Sequence, residues 1–250
     1  MSNADNKVIL NREVLDLLRD LTPISNPVIL SKEKDQNDLV DAEGGTESIK
    51  YVLVSQTNES ETICYLMKIP VGLVEFAGDK LAFGDFSEFY KFFDALGDYE
   101  PKITMNGVFL NLQSGSTKIK YLTGEEDVIE RGPDEIPFGK PDAALDLTAD
   151  TLMEIRKLIG LLRADSVKIT IKNSMITFCF WKEGIDNSIE RTFPIEADKD
   201  FEHSQTSSTD IFSLVPRAGY RFSIIKAGLI ELKHESELVD IRIYTGETRD

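Results

Sequence analysis

Apolar positions along the chain alternate between two periods, and the switches mark its elements. Val8 to Leu10 is a short apolar strand, and Asn11 then caps a helix over Arg12 to Leu21. Its apolar stripe is Val14, Leu17, Leu18 and Leu21, with Arg12, Asp16 and Arg19 on another side. Thr22-Pro23 stops it. Strands are predicted at Pro27 to Ser31, Lys50 to Ser55, Thr62 to Ile69 and Leu81 to Phe83. Asp85 or Ser87 caps a second helix, Glu88 to Leu96, which ends at Gly97. Phe89, Phe92, Phe93 and Leu96 form its apolar side, and Lys91 lies outside it. Three strands follow, Lys102 to Met105, Val108 to Leu112 and Thr117 to Leu122, the first two joined by an Asn106-Gly107 hairpin turn.

The same order returns in the second half. A strand at Ala144 to Leu147 leads through the cap Thr148 into a helix over Ala149 to Arg163. Leu152, Ile155, Ile159 and Leu162 face inward; Arg156 and Arg163 share another side, with Lys157 beside Arg156. Strands at Val167 to Lys172, Met175 to Trp181 and Ser188 to Ile195 precede a short helix capped at Ser208-Thr-Asp210 and ended by Pro216. Tyr220 to Lys226, Leu229 to His234 and Val239 to Tyr244 close the unit. Asn11 and Thr148 are 137 positions apart, Lys118 and Asp240 only 122, so the first half holds about fifteen more residues; the polar Lys32 to Ser48 loop supplies them. Lys118-Ile-Lys-Tyr-Leu-Thr-Gly-Glu125 and Asp240-Ile-Arg-Ile-Tyr-Thr-Gly-Glu247 end the two halves alike. The pattern is a tandem duplication of one α+β unit, each with antiparallel strands and two helices that can cover only one sheet face.

Between the halves lies Glu125 to Asp146, with Pro133, Pro137 and Pro141 and eight acids. Proline removes backbone donors and like charges repel, so this stretch is predicted to be an extended interdomain connector. The expected domains are 1–124 and 143–250, joined by 125–142.

Composition narrows the function. The 250 residues suit two domains with separate cores. Lys and Arg number 28 against 44 Asp and Glu, a net charge of -16. A nucleic-acid backbone repels such a chain, so DNA binding is possible only if the basic residues are segregated onto one face, within the roughly 10 Å reach of screened charge. No apolar run is long enough to span a membrane, and MSNADNKV has no signal region, which predicts a cytoplasmic protein without membrane association. Cys64 and Cys179 lie in apolar strand patterns and read as buried, reduced thiols. No phosphate loop, dinucleotide-binding glycine pattern, zinc-protease helix or nucleophile elbow occurs. His203 and His234 have no metal-ligand spacing. Asp198, Asp200 and Glu202 read as a solvated acidic loop, His203 as a solvated loop residue, and Asn58-Glu-Ser60 as a sequon without consequence. Neither enzyme, metal nor cofactor is expected.

A duplicated strand-helix-sheet unit, an acidic proline-bearing connector and helices carrying Arg and Lys on an acidic chain resemble the DNA sliding clamps, processivity factors related in architecture to proliferating cell nuclear antigen. Ile136-Pro-Phe, Phe86-Ser-Glu-Phe-Tyr-Lys-Phe-Phe, and Leu147-Thr-Ala-Asp-Thr-Leu-Met-Glu-Ile-Arg-Lys leading into Val167-Lys-Ile-Thr-Ile-Lys look most like the tailed-bacteriophage type. The resemblance implies a head-to-tail homotrimeric ring with helices inside and sheets outside, Thr117 to Leu122 of one chain pairing with Ser188 to Ile195 of the next. It implies DNA-facing Arg12, Arg19, Lys91, Arg156, Lys157, Arg163, Arg217 and Arg221, non-specific contact with encircled double-stranded DNA, and tethering of a DNA polymerase after action of a clamp loader. For a phage-encoded chain the setting would be the infected bacterial cytoplasm. Ile129, Ile136, Pro137, Phe138 and Tyr244 are the candidates for a partner-peptide pocket, or else pin the connector to its own domain. The alternatives are a non-catalytic tandem-domain binding or assembly module without a DNA role, and a hydrolase using dispersed acids.

Overall fold

β1 (Lys7–Leu10) runs into α1 (Arg12–Leu21) through Asn11, whose side-chain oxygen accepts the backbone N–H of Val14 at 3.2 Å. The computed structural model describes residues 6–34, 49–97, 101–197, 201–234 and 236–246. Residues 35–48 of the expected loop, and Asp198, Asp200 and Glu247, lie outside these. The chain divides into two units, one of Met1–Gln56 and Leu66–Asp134, the other of Thr57–Tyr65 and Glu135–Asp250. The division falls between Asp134 and Glu135, inside the connector.

After α1 come β2 (Val28–Lys34), β3 (Ile49–Thr57), β4 (Ile63–Pro70), β5 (Val74–Glu75) and β6 (Lys80–Phe83), all in the first unit except the end of β3 at Thr57 and the start of β4 up to Tyr65. Next come α2 (Phe86–Asp94), β7 (Lys102–Asn106), β8 (Phe109–Ser114) and β9 (Thr117–Leu122). Strands lie in the orders β5-β1-β7-β8-β9 and β4-β3-β2-β6. On α1 the buried residues are Val14, Leu15, Leu18 and Leu21. Leu15 thus takes the inward place expected of Leu17, which is half-buried, because the stripe is centred between the two candidate phases. On α2 the buried set is Phe86, Phe89, Tyr90 and Phe93. Phe92, expected inside, is 38% exposed. Phe83, Phe86, Phe89 and Tyr121 form the aromatic centre, with Phe83 and Phe86 edge to face at 5.4 Å between centroids. Such a pair adds about 0.5–1.5 kcal/mol beyond area burial. Asp85, rather than Ser87, is the α2 cap: its carboxylate accepts the Glu88 N–H at 2.8 Å and the Asn26 side-chain N–H at 2.9 Å.

The second unit repeats the plan. It contains β10 (Ala143–Leu147), α3 (Ala149–Leu162), β11 (Ser166–Lys172), β12 (Met175–Trp181), β13 (Ser188–Pro194), β14 (Glu196–Ala197) and β15 (His203–Ser208). α4 (Asp210–Ser213), β16 (Tyr220–Ile224), β17 (Ile230–His234) and β18 (Asp240–Thr245) complete it. Strand orders β14-β10-β16-β17-β18 and β13-β12-β11-β15 match the first unit position for position. Thr148 caps α3, accepting the Thr151 N–H at 3.1 Å. Leu152, Ile155 and Ile159 are buried, while Leu162, expected inside, is half-buried in the last turn. Phe178, Phe180, Phe212 and Phe222 are the aromatic centre here. Strand β15 escapes apolar patterning because its buried positions are Gln205 and Ser207. His203, expected in a loop, begins that strand, half-buried with its Nε2 2.7 Å from Gln205 Oε1. Cys64 and Cys179 are not joined in a disulfide and are half-buried rather than buried.

Among the described residues no helix is long and apolar enough to cross a membrane.

Candidate nucleic-acid interface and partner site

The helices carry the expected basic side chains, and most of those are already engaged. Arg12 on α1 forms an ion pair with Asp94 at the end of α2 and donates to the Gly97 carbonyl oxygen at 3.2 Å. Arg19, about two turns further along the same side of α1, donates to Asp20 at 2.7 Å and to the Tyr90 hydroxyl at 3.0 Å, its guanidinium 4.9 Å from that ring's centre. Tyr90 in turn donates to Asp16. Burial, and then the Asp16 carboxylate, raise the Tyr90 hydroxyl above its ordinary pKa. Lys91 projects from α2, exposed and without an ion pair among the described residues.

In the second unit Arg156 is half-buried and turns inward. Its Nε donates to the Phe212 carbonyl oxygen at 2.7 Å and its Nη2 to the Val215 carbonyl oxygen, where burial lowers its pKa. Those carbonyls end the four-residue helix α4, which has no other basic group in its last turn. Arg221, on β16, bonds Asp146 at 2.7 Å and also Glu196. Arg217 is exposed, 3.8 Å from Asp150. Lys157 and Arg163 are exposed and unpaired among the described residues. Arg163 follows α3 in the left-handed region, φ 52°, and the Ala164 N–H reaches back to the Ile159 carbonyl oxygen at 3.0 Å.

Acids therefore balance the bases on these helices. Glu13, Asp16, Asp20, Glu88 and Asp94 accompany Arg12, Arg19 and Lys91 on α1 and α2; Asp150, Glu154 and Asp210 accompany Arg156 and Lys157 on α3 and α4. Five of the eight predicted cations lie on helices, while Arg163 follows α3, Arg217 lies beyond α4 and Arg221 is on β16; segregation by sign is local. Among the described residues Lys91 in the first unit, and Lys157 and Arg163 in the second, are exposed without an ion pair.

The connector has no helix or strand over residues 125–142, yet it is not a free tether. In the first unit the Gly132 N–H bonds the Ser55 carbonyl oxygen at 3.0 Å, Ser55 Oγ donates to the Pro133 carbonyl oxygen at 2.6 Å, and Arg131 pairs with Asp134 at 2.7 Å. Ile129 is half-buried near Gly124, where a Cβ would lie 2.7 Å from the Gly84 nitrogen and 3.0 Å from Ile129 Cδ1. In the second unit Phe138 rests 6.1 Å from the buried Tyr244, ring centre to ring centre. Ile136 is half-buried and Pro137 exposed. Tyr244 donates to Glu231 at 3.0 Å, and burial with that carboxylate raises its hydroxyl pKa. Of the five candidates, Phe138 and Tyr244 are in contact. Asn58 of the sequon is buried and bonded to Ser60 and Thr62, so it serves a turn.

Among the described residues β9 and β13 are edge strands, as β5, β6, β14 and β15 also are. β9 is bonded on one side only, to β8, and β13 on one side only, to β12. Strand β18, the counterpart of β9, is covered instead: Thr245 Oγ1 donates to the Thr62 carbonyl oxygen at 2.8 Å, both residues belonging to the second unit.

No family profile and no curated protein matches this sequence. Among solved structures, the proliferating cell nuclear antigen of Entamoeba histolytica is similar over 98% of each chain, with a TM-score of 0.69 at 12% identity. The A. fulgidus proliferating cell nuclear antigen, solved with the C-terminal region of FEN-1 bound to it, is similar over 98% of each chain, with a TM-score of 0.64 at 10% identity. The α+β fold of this chain is thus the clamp fold of those antigens from end to end.

Proposed function

We propose that this protein is a sliding clamp that encircles duplex DNA and tethers the replicative DNA polymerase, working without catalysis or cofactor in the cytoplasm of its cell. The observation that carries this reading is the likeness to two clamp structures over 98% of this chain and of theirs. The open edges of β9 and β13 support a head-to-tail homotrimer, since the two edges lie on different units and heterologous pairing that closes by rotation makes a ring. The three short strings quoted above favour a clamp of the tailed-bacteriophage type. Lys91, Lys157, Arg163 and Arg217 are the first candidates for phosphate contact, with Arg12, Arg19 and Arg221 able to exchange an acidic partner for phosphate; Arg156 anchors α4. Contacts of this kind carry no sequence information and leave the ring free to slide. With so few free cations the hold on DNA is topological, and polymerase retention follows from effective concentration. Ile136, Phe138 and Tyr244 are the proposed seat of a partner peptide, by analogy with the FEN-1 segment bound to the A. fulgidus antigen, and a clamp loader opens the ring.

One observation favours a second reading. The balance of acids and bases on the helices suits a tandem-domain assembly module with no DNA role. Size exclusion with light scattering separates the two: a mass of three times 28.1 kDa supports the ring. Retention on circular DNA with loss from linear DNA then establishes encirclement, and a strictly monomeric chain at high concentration refutes it.

A further inference from the structure

The sheet β5-β1-β7-β8-β9 has a face on which the charge of the chain is inverted. Residues 101–124 contain no Asp or Glu, although the chain carries 44 acids and a net charge of -16. Cross-strand register puts Lys102, Gln113 and Lys118 in one row and Lys7, Thr104, Asn111 and Lys120 in the next, with Glu75, opposite Ile9, as the one carboxylate these strands place on that side. Residues paired directly across antiparallel strands point to the same side. The opposite face takes Val8, Ile103, Leu110, Leu112 and Tyr121, all buried, so the lysine face is the solvent face. Strand spacing places Lys102 about 10 Å from Lys118, and Lys7 about 14 Å from Lys120. The four lysines have no carboxylate partner among the described residues. Lys120 is held by its Nζ lying 3.7 Å from the centre of the half-exposed Phe109 ring. Between the lysines a trough of about 590 Å³ opens over Thr104, Asn106, Asn111 and Gln113.

We propose that this trough binds single-stranded nucleic acid. The partner is a polyanion, because among the described residues these strands set four lysines against the single carboxylate of Glu75, a local excess of positive charge on a chain of net charge -16. Two features favour phosphodiester over an acidic peptide. Every cation is a lysine, a point charge suited to phosphate, whereas carboxylates are recognised best by the bidentate fork of arginine. The lysines are interleaved with three amides and a hydroxyl, which donate and accept, as base edges and sugars require; a π surface at Phe109 adjoins them. The site lies on a sheet face away from the helices; Lys118 and Lys120 belong to β9, so the strand pairing proposed for ring closure would run alongside it.

Fluorescence anisotropy of a labelled oligothymidylate with the full chain tests it, from low to moderate salt. Saturable binding is expected, with log affinity falling against log salt at a slope of about 2.8 for four phosphate contacts at roughly 0.7 each. Lys102→Glu and Lys120→Gln should each weaken binding several-fold, with unchanged circular dichroism and thermal midpoint, and Lys120→Gln should lower the slope by about 0.7. Lys140→Glu, exposed on the connector, should leave it unchanged. Absence of saturable binding at low salt overturns the proposal, as does binding lost in Lys157→Glu with Arg163→Glu on the helices but kept in the trough variants. Displacement by polyglutamate at equal charge would assign the trough to an acidic protein instead. Ring mass is measured separately, so failure here is distinguishable from failure of the clamp reading.

Discussion

Arg156 Nε donates to the carbonyl oxygen of Phe212 at 2.7 Å, fastening α3 to the end of α4. A cation sought for DNA is thereby occupied inside its own unit. Arg156→Ala removes the donors of two carbonyls, at Phe212 and Val215, and should cost roughly 1–3 kcal/mol of stability. Exposed Lys157→Ala should stay within about 0.5 kcal/mol. Chemical denaturation midpoints of the two variants would check the contrast.

Asp85 gives α2 a pH dependence. The Glu88 N–H, then the Asn26 amide, stabilise its carboxylate and hold its pKa below the ordinary value. The capping contribution is therefore fully present above the unfolded pKa, near 3.9, and is lost as pH falls through the lower folded value. Asp85→Asn keeps an acceptor without the charge. Thermal melts from pH 7 to pH 3 should show a shallower acid loss for Asp85→Asn than for the wild type, and Asp85→Ala should be destabilised by about 1 kcal/mol at pH 7.

Gly124 is demanded by space. A Cβ there would stand 2.7 Å from the Gly84 nitrogen, a backbone atom that cannot step aside. Gly124→Ala should lower stability by about 1–3 kcal/mol, as overpacking does. Gly246→Ala, at the matching Thr-Gly of the second unit, meets nothing within 4 Å and should be near neutral. Paired thermal melts decide it.

Arg163 separates stability from charge. Its φ of 52° suits glycine, so Arg163→Gly should raise stability by about 1 kcal/mol while removing one free cation from the helix face. A higher melting midpoint with weaker retention on circular DNA is the expected pair of results; a lower midpoint would contradict it.

Much of this protein is legible in its sequence where the controlling interactions are local. Asn11 and Thr148 cap their helices because a side-chain oxygen needs only the N–H three residues on. The duplicated order of strands and helices is read from periodicity, since burial of one face is enforced residue by residue. The candidate site is legible only in part: Lys91, Lys157 and Arg163 are exposed as expected, while Arg12 meets Asp94 and Arg156 meets Phe212. Those partners lie 82 and 56 positions away along the chain. Strand β15 was invisible to patterning because Gln205 and Ser207 are buried by hydrogen bonding rather than by apolarity. Periodicity and capping thus follow from sequence alone, being set within a turn or two of chain. Which charges stay free and which strand edges stay open were decided by tertiary structure, because a charge or an edge is cancelled by whatever folding brings within a few ångströms of it.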